Sequence, residues 1–265
     1  MTGGGAAEVA PSAYVAGLSQ VGRARPVNED ALALSSREVG GRRRTVAVVC
    51  DGIAGGAHGE LASAAAAGAA HAALAESDGA PPDEALRRAV ALAHRAICEA
   101  AIEDVPGKDD PGTTLVAVLA RPGALDLAWV GDSRAYLVRD AGDGELLTHD
   151  HSWVNLVVDA GDLTIEEALA SRWSQVITRC VGPAEDPDPL HPPEPSLRSV
   201  EVGEAGMLVL CSDGLWAEFP DAADLAAAVR SAPEPGDPGS VAGWLVDQAL
   251  ARGADDDVTV VVVRI

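Results

Sequence analysis

The sequence predicts an α/β layered sandwich (α-β-β-α) in which two central, mainly antiparallel sheets are flanked by helix pairs. Three observations carry that prediction. Short β-branched runs recur, namely "TVAVVC" (45–50), "TTLVAVLA" (113–120), "LDLAWV" (125–130), "RAYLVRD" (134–140), "MLVLCS" (207–212) and "VTVVVVRI" (258–265), and such runs are strands. Three of them are separated only by "RPGA" and "GDS". Those links are too short for a helical crossover, so that part of the sheet must be antiparallel. Finally, helical patterns come in pairs between strands, 59–76 followed by 81–100 and 221–230 followed by 240–253, which places helices outside a strand interior.

Taken in order, the opening "MTGGGAAEVAPSAYVAG" has neither a basic nor an apolar signal region, and residues 1–13 read as a loose tail. Residues 14–265 read as one domain. The first helical segment is Ala-rich and interrupted by Ser63, Gly68 and His71, which disfavours a bilayer centre, so no membrane span is expected. Pro82 and Asp83 make a good start for the second. The stretch 149–195 is less regular: a helix, a Gly-containing turn, a second short helix and a Pro-rich loop. It reads as a surface flap, which either helps to select a substrate or is a packed lid anchored by Trp153 and Trp173.

Hydrophobic residues make up 48% of the 265 residues but aromatics only 3%, so the core must be built from Ala, Val and Leu. With 41 acidic against 19 basic residues the formal net charge is -22. A field of that sign disfavours nucleic acid and anionic membranes as partners. Cys50, Cys98, Cys180 and Cys211 are scattered, with no C-x-x-C pair, so neither a zinc site nor a disulfide framework is indicated and a reducing cytoplasm is expected.

Acids cluster where strands end. Asp51 follows "TVAVVC", Asp213 follows "MLVLCS", Asp255, Asp256 and Asp257 precede the last strand, and "NED" (28–30) and "GDSR" (131–134) lie at further edges. A lone Asp-Gly is an ordinary turn, and "GIAGG" after Asp51 can equally be a flexible entry into a helix. Convergence changes the weight of these residues, because two unit charges at ~4 Å repel by about 4 kcal/mol even at an effective dielectric near 20. A cluster of that kind needs cations, and all-oxygen donors favour Mg²⁺ or Mn²⁺ over zinc. Gly52 and its successors would then let the backbone approach an ion.

The ordered set "RPVNED", "VVCDGIAGGAHGE", "PGTTLVAVLA", "VGDSRAYLVRD", "THDHSWVNLVVDAGDLTIEEA", "VITRCVG", "LCSDGLWAEF" and "DDDVTVVVV" resembles the metal-dependent Ser/Thr protein phosphatases of the PPM family, the type 2C group, in their bacterial single-domain form. The resemblance runs from about Tyr14 to Ile265. It implies hydrolysis of phosphoserine and phosphothreonine on phosphorylated proteins, substrates of Ser/Thr kinases, by attack of a water bridging two Mn²⁺ or Mg²⁺ ions. Carried over by motif, Asp51 bridges both ions, Asp213 and Asp256 complete one of them, the carbonyl of Gly52 binds the other, and Glu29 and Asp30 act through water. Asp132 matches the acid that helps hold a third, weaker ion, and Arg25 matches the arginine that grips the substrate phosphate. A monomer is expected.

Several positions depart from the family pattern: Ala54 stands for a glycine, Gly56 for a histidine, Asp257 for an asparagine, and Ile53 takes the place of a candidate acid histidine. His58 and His149 read as surface or loop histidines. Asp257 would either face the cleft, adding charge beside Asp256, or face solvent. A catalytically weak regulator that keeps the fold and binds phosphoproteins is the alternative, and it predicts loss of metal acids, whereas Asp51, Asp213 and Asp256 are all present. No Cys-x5-Arg loop exists and no D-x-D-x-T follows a strand, which argues against cysteine-based and aspartyl-phosphate phosphatases.

Overall fold

The computed structural model describes residues 7–53, 58–100, 110–140, 142–184, 186 and 188–265. In chain order the elements are β1 (Ala7–Ser12), β2 (Val15–Gln20), β3 (Asp30–Val39), β4 (Arg42–Asp51), α1 (Gly59–Ala75), α2 (Pro82–Glu99), β5 (Leu115–Arg121), β6 (Ala124–Val130), β7 (Arg134–Arg139) and β8 (Gly144–Leu146). They continue with α3 (Trp153–Asp159), α4 (Ile165–Leu169), β9 (Ser196–Glu201), β10 (Gly206–Cys211), α5 (Asp213–Trp216), α6 (Ala222–Arg230), α7 (Pro238–Arg252) and β11 (Val258–Arg264).

Two sheets form, a six-stranded one in the order β1-β2-β11-β10-β7-β8 and a five-stranded one in the order β3-β4-β5-β6-β9. Every strand pairing is antiparallel. Ala47, Val49, Val116, Leu208 and Val261 fill the space between the sheets. On β4 the alternate side chains Val46, Val48 and Cys50 point the other way, into a layer with α1 and α2. Helices α6 and α7 cover the outer face of the six-stranded sheet through Val209, Val260, Leu225 and Leu245. The layers are therefore α-β-β-α, as the helix pairs and the short links imply.

Central strands are buried on both faces, which is why β4, β5, β10 and β11 read as unbroken apolar runs even though they are antiparallel. Strands beside them, such as β3 with sequence "DALALSSREV" and β9 with "SLRSVE", are only partly buried, and their apolar runs are too interrupted to signal a strand. The loose-tail reading is corrected for residues 7–12, because β1 pairs with β2 in the register Ala7↔Ser19, Glu8↔Leu18 and Val9↔Gly17. Residues 1–6 lie outside the described residues.

The flap over 149–195 has the expected helix, turn and short helix. Ser152 caps α3 by accepting the Asn155 N–H, Gly161 turns with φ 76, and Thr164 and Glu167 cap α4 reciprocally. Trp173 is 46% exposed, so it anchors no core. Among the described residues no helix is long and apolar enough to cross a membrane.

The scarcity of aromatics is met by close helix packing. On α1 the residues Ala62, Ala66, Ala67 and Ala70 are at most 2% exposed and form one layer with Ala85, Ala89 and Ala93 of α2 and with β4. Extra methylenes there have nowhere to go. Ala70→Leu is expected to lower unfolding free energy by about 1–3 kcal/mol through overpacking, whereas Leu61→Ala, at a side chain 48% exposed, should change it by less than about 0.5 kcal/mol. Denaturant unfolding of the two variants checks both values.

Candidate functional site

At one end of the sandwich β3 begins and β4 finishes, and their register sets Asp30 directly opposite Asp51. From the other sheet, β10 ends at Cys211 and its chain turns at once into α5, which starts at Asp213. Asp256 and Asp257 precede the neighbouring β11, and Asp132 sits in the turn between β6 and β7. Five carboxylates, Asp30, Asp51, Asp132, Asp213 and Asp256, thus come within one another's field.

Backbone and hydroxyl groups hold these acids in place. The Asp51 N–H donates to Thr114 Oγ1 at 3.0 Å, and the Asp51 carbonyl accepts from Thr113 Oγ1 at 2.8 Å and from the Thr114 N–H at 2.8 Å. Thr114 Oγ1 also lies 2.7 Å from Ser133 Oγ, which ties β4 to the "GDSR" turn. Ser212 Oγ donates to Asp30 Oδ2 at 2.7 Å and accepts the Thr259 N–H at 3.0 Å. Sequence reasoning missed Ser212, Thr113 and Thr114 as site residues. Their signal was a hydroxyl placed beside or across from a strand-end acid.

Gly52 has a reason beyond approach to an ion. A Cβ there would stand 2.5 Å from the Gly59 carbonyl oxygen and 2.7 Å from that of Glu29, so the start of α1 and the "NED" segment can meet at Gly52 only without a side chain. The Gly52 N–H donates to the Glu29 carbonyl at 3.0 Å. Ala54 and Gly56, where the sequence departs from the family pattern, lie outside the described residues. His58 opens α1 with φ 55 and pairs with Glu60. His149 is an exposed flap residue 2.7 Å from Asp159.

Cations are scarce in this cleft. Arg25 forks onto Asp256, Nε to Oδ1 and Nη2 to Oδ2 both at 2.8 Å, and its Nη1 reaches Glu29 at 3.1 Å. That fork raises the guanidinium's hold on its proton and keeps both Asp256 oxygens engaged. Among the described residues no three acid, histidine or thiol side chains are closed on a single point as they stand. The remaining acids respond by retaining protons. Burial, then the charges of Asp30 and Asp213, pushes the Asp51 carboxyl well above the usual range. Burial does the same to Asp30 despite its hydrogen bond from Ser212. Asp213 is pushed up to about 6 by burial and then by Asp256, and Asp132 to about 7 by burial, Asp213 and Asp150. Hard oxygen donors gathered in one cleft and short of counter-charge fit divalent cations of the Mg²⁺ or Mn²⁺ class.

Asp257 takes neither orientation expected for it. The residue is 2% exposed, with Oδ1 accepting the Gly22 N–H at 2.8 Å and Oδ2 accepting the Glu29 N–H at 2.7 Å. One carboxylate thereby closes both ends of the loop that carries Arg25. The Asp255 carbonyl adds a third tie by accepting the Ala24 N–H at 3.0 Å. Gly22 is required because a Cβ would fall 2.2 Å from the Asp256 carbonyl carbon.

The family model for protein phosphatase 2C matches residues 21–249, which include Arg25, Asp30, Asp51, Asp132 and Asp213. The chain belongs to that family. It is 34% identical over 250 residues to the serine/threonine protein phosphatase PstP of Mycobacterium tuberculosis, covering 93% of this chain and 44% of that protein. The chain therefore spans less than half the length of that relative. A serine/threonine phosphatase structure from S. agalactiae superposes with TM-score 0.79 at 30% identity, covering 94% of this chain and 98% of the other. The catalytic domain of PstP in complex with two manganese ions gives TM-score 0.71 at 33% identity, covering 95% and 97%.

Two outcomes follow from this geometry. Carboxyls whose folded pKa is raised contribute stability that is fully present below the unfolded value near 3.8 and is lost as pH rises through about 6 for Asp213 and about 7 for Asp132. In chelator, Asp213→Asn should therefore melt several degrees above the parent protein at pH 8 and lose that advantage near pH 4, as read by calorimetry. Replacing Asp257 by Asn sets an amide N–H₂ against one of two backbone donors and should cost about 1–3 kcal/mol. The matching signature is faster hydrogen exchange at the Gly22 or Glu29 amide.

Proposed function

We propose that this chain is a metal-dependent phosphatase that hydrolyses phosphoserine and phosphothreonine on proteins. The observation that carries the reading is the set of five converging acids at the strand ends of a protein phosphatase 2C fold. A relative of the same fold crystallised in complex with two manganese ions supports it. In this reading Asp51 would help hold both of two Mn²⁺ or Mg²⁺ ions, the Gly52 carbonyl one of them, and Asp213 and Asp256 the other. Glu29 and Asp30 act through water, and Asp132 with Asp213 serves a third, weaker ion. When bound, divalent ions supply Lewis-acid charge and bring the pKa of water down towards neutrality.

The chain's own groups supply the rest. Two of the three Arg25 nitrogens already make a bidentate fork, the geometry that matches two phosphoryl oxygens. With Asp256 engaged by a cation, that fork would be free for the substrate phosphate. Ser212 keeps Asp30 aimed across the sheets, and Asp257 keeps the Arg25 loop closed. The partners are phosphorylated proteins made by Ser/Thr kinases. A cytoplasmic, monomeric domain is part of the proposal, supported for its compartment by four free cysteines.

Turnover of a phosphothreonine peptide should require added Mn²⁺ or Mg²⁺ and vanish in excess chelator; full activity in chelator would overturn the reading. Asp51→Asn should lower kcat by roughly 100-fold or more while the protein still unfolds cooperatively. Arg25→Ala should raise KM for the phosphopeptide and weaken inhibition by phosphate, with Mn²⁺ affinity measured by calorimetry retained.

A further inference from the structure

Seven residues before Asp51, about 24 Å along an extended strand, β4 opens with the consecutive arginines Arg42, Arg43 and Arg44. The metal-site reading uses nothing at this end. Arg44 pairs directly opposite Arg37 of β3. On the other side Thr45 pairs with Ala120, so the next position along sets Arg121 of β5 beside Arg44. Three guanidiniums thus stand on three neighbouring strands of one sheet face, the face toward α1, where Arg44 Nη2 donates to the Leu74 carbonyl at 2.8 Å. Like charges opposite one another in an antiparallel pair are destabilising.

A chain with 41 acids supplies few here. Asp78 serves both Arg37, at 2.8 Å, and Arg44. Asp126 serves Arg121 at 2.5 Å and Glu38 serves Arg43 at 3.3 Å. Among the described residues Arg42 makes no ion pair. Five guanidiniums share three carboxylates.

A pocket of about 420 Å³ opens on this surface, lined by Arg42, Arg43, Arg44, Arg121, Ser77 and the turn entering α2 at Gly79, and its wall holds no acidic residue. The excess of guanidiniums over carboxylates around an acid-free pocket points to an anion. The eighteen-residue helix α2 starts against the pocket with Pro81 at its cap position and no side-chain cap hydrogen bond, leaving its first backbone N–H groups uncapped while Asp83 and Glu84 in the first turn offset its dipole. Arg44 is only 8% exposed, and its buried Nε has no hydrogen-bond partner. Its Nη atoms are bonded to Asp78, Ser77 Oγ and the Leu74 carbonyl, so Arg44 is a fixed part of the wall, and the exposed Arg42, with no ion pair among the described residues, is the guanidinium open to an anion.

We propose that this pocket binds a small phosphate-bearing anion. Guanidinium forks match phosphate oxygens in pairs, helix N-termini favour the same charge, and the volume falls within the range of small-molecule sites. A nucleic-acid strand is a poor fit because the rest of the surface, at net charge -22, repels an extended polyanion. The site is separate from the acidic cleft, and its test does not depend on the phosphatase reading.

Titration calorimetry of the full chain in chelator at fixed ionic strength, with inorganic phosphate, pyrophosphate and a nucleoside monophosphate as probes, tests the proposal. At least one probe should bind at a single site. Arg42→Gln should weaken it by about tenfold or more and Arg42→Glu should abolish it, both with unchanged melting temperature and metal-dependent phosphatase activity. Tighter binding of the nucleoside monophosphate than of inorganic phosphate identifies an organic phosphate as the ligand, and the reverse order identifies the free ion. Absence of binding by all three probes overturns the proposal, as does undiminished affinity in Arg42→Glu. Loss of binding in Asp51→Asn with retention in Arg42→Glu would assign the anion to the acidic cleft instead, and equally overturns it.

Discussion

Repulsion among carboxylates at one end of the two sheets is the constraint on which the rest of the site depends. Asp30 and Asp51 are forced opposite each other by the β3/β4 register, and the stacking of the second sheet adds Asp213 and Asp256. The β-ladders and the apolar layers hold these charges together against a field that raises Asp30 and Asp51 well above the ordinary carboxylate range. Such a cluster is stable only with protons, a guanidinium or metal cations as counter-charge. The Arg25 fork supplies part of that charge.

Much of the surrounding sequence serves to hold that arrangement. Thr113, Thr114 and Ser212 engage the backbone and side-chain atoms of the acids without adding charge. Gly22 and Gly52 remove side chains where loops must touch, and Asp257 spends both of its oxygens on two backbone N–H groups of the Arg25 loop. An acid at this position binds two donors at once, which an amide oxygen and nitrogen cannot do. The loop carrying Arg25 is therefore fixed from the same three-residue segment that provides Asp256, so the guanidinium and the acid it forks onto move together.

Charge is also distributed along β4. One end carries Asp51 in an excess of acid, and the other carries Arg42, Arg43 and Arg44 in a local excess of base. Between them lie Thr45 and the buried apolar residues Val46, Ala47, Val48, Val49 and Cys50, all at most 3% exposed. The strand acts as a rigid spacer that keeps two opposite fields at opposite ends of one sheet, about 24 Å apart, a separation over which solvent and salt screen exposed charges from one another.

The interior of the fold was legible in the sequence because strands covered on both faces must be apolar at nearly every position, as in "TVAVVC" and "VTVVVV". The acids were legible because each interrupts or borders such a run. Edge strands β3 and β9 were not, since half-exposed residues carry no comparable pattern. Pairings between residues far apart in the chain were decided by tertiary structure alone. Ser212 reaches Asp30 across 182 positions, Arg25 reaches Asp256 across 231 and Asp257 reaches Gly22 across 235. Hydrogen bonds of a few ångströms depend on how the two sheets stack, and local residue order constrains which groups reach a strand end but not which of them meet there.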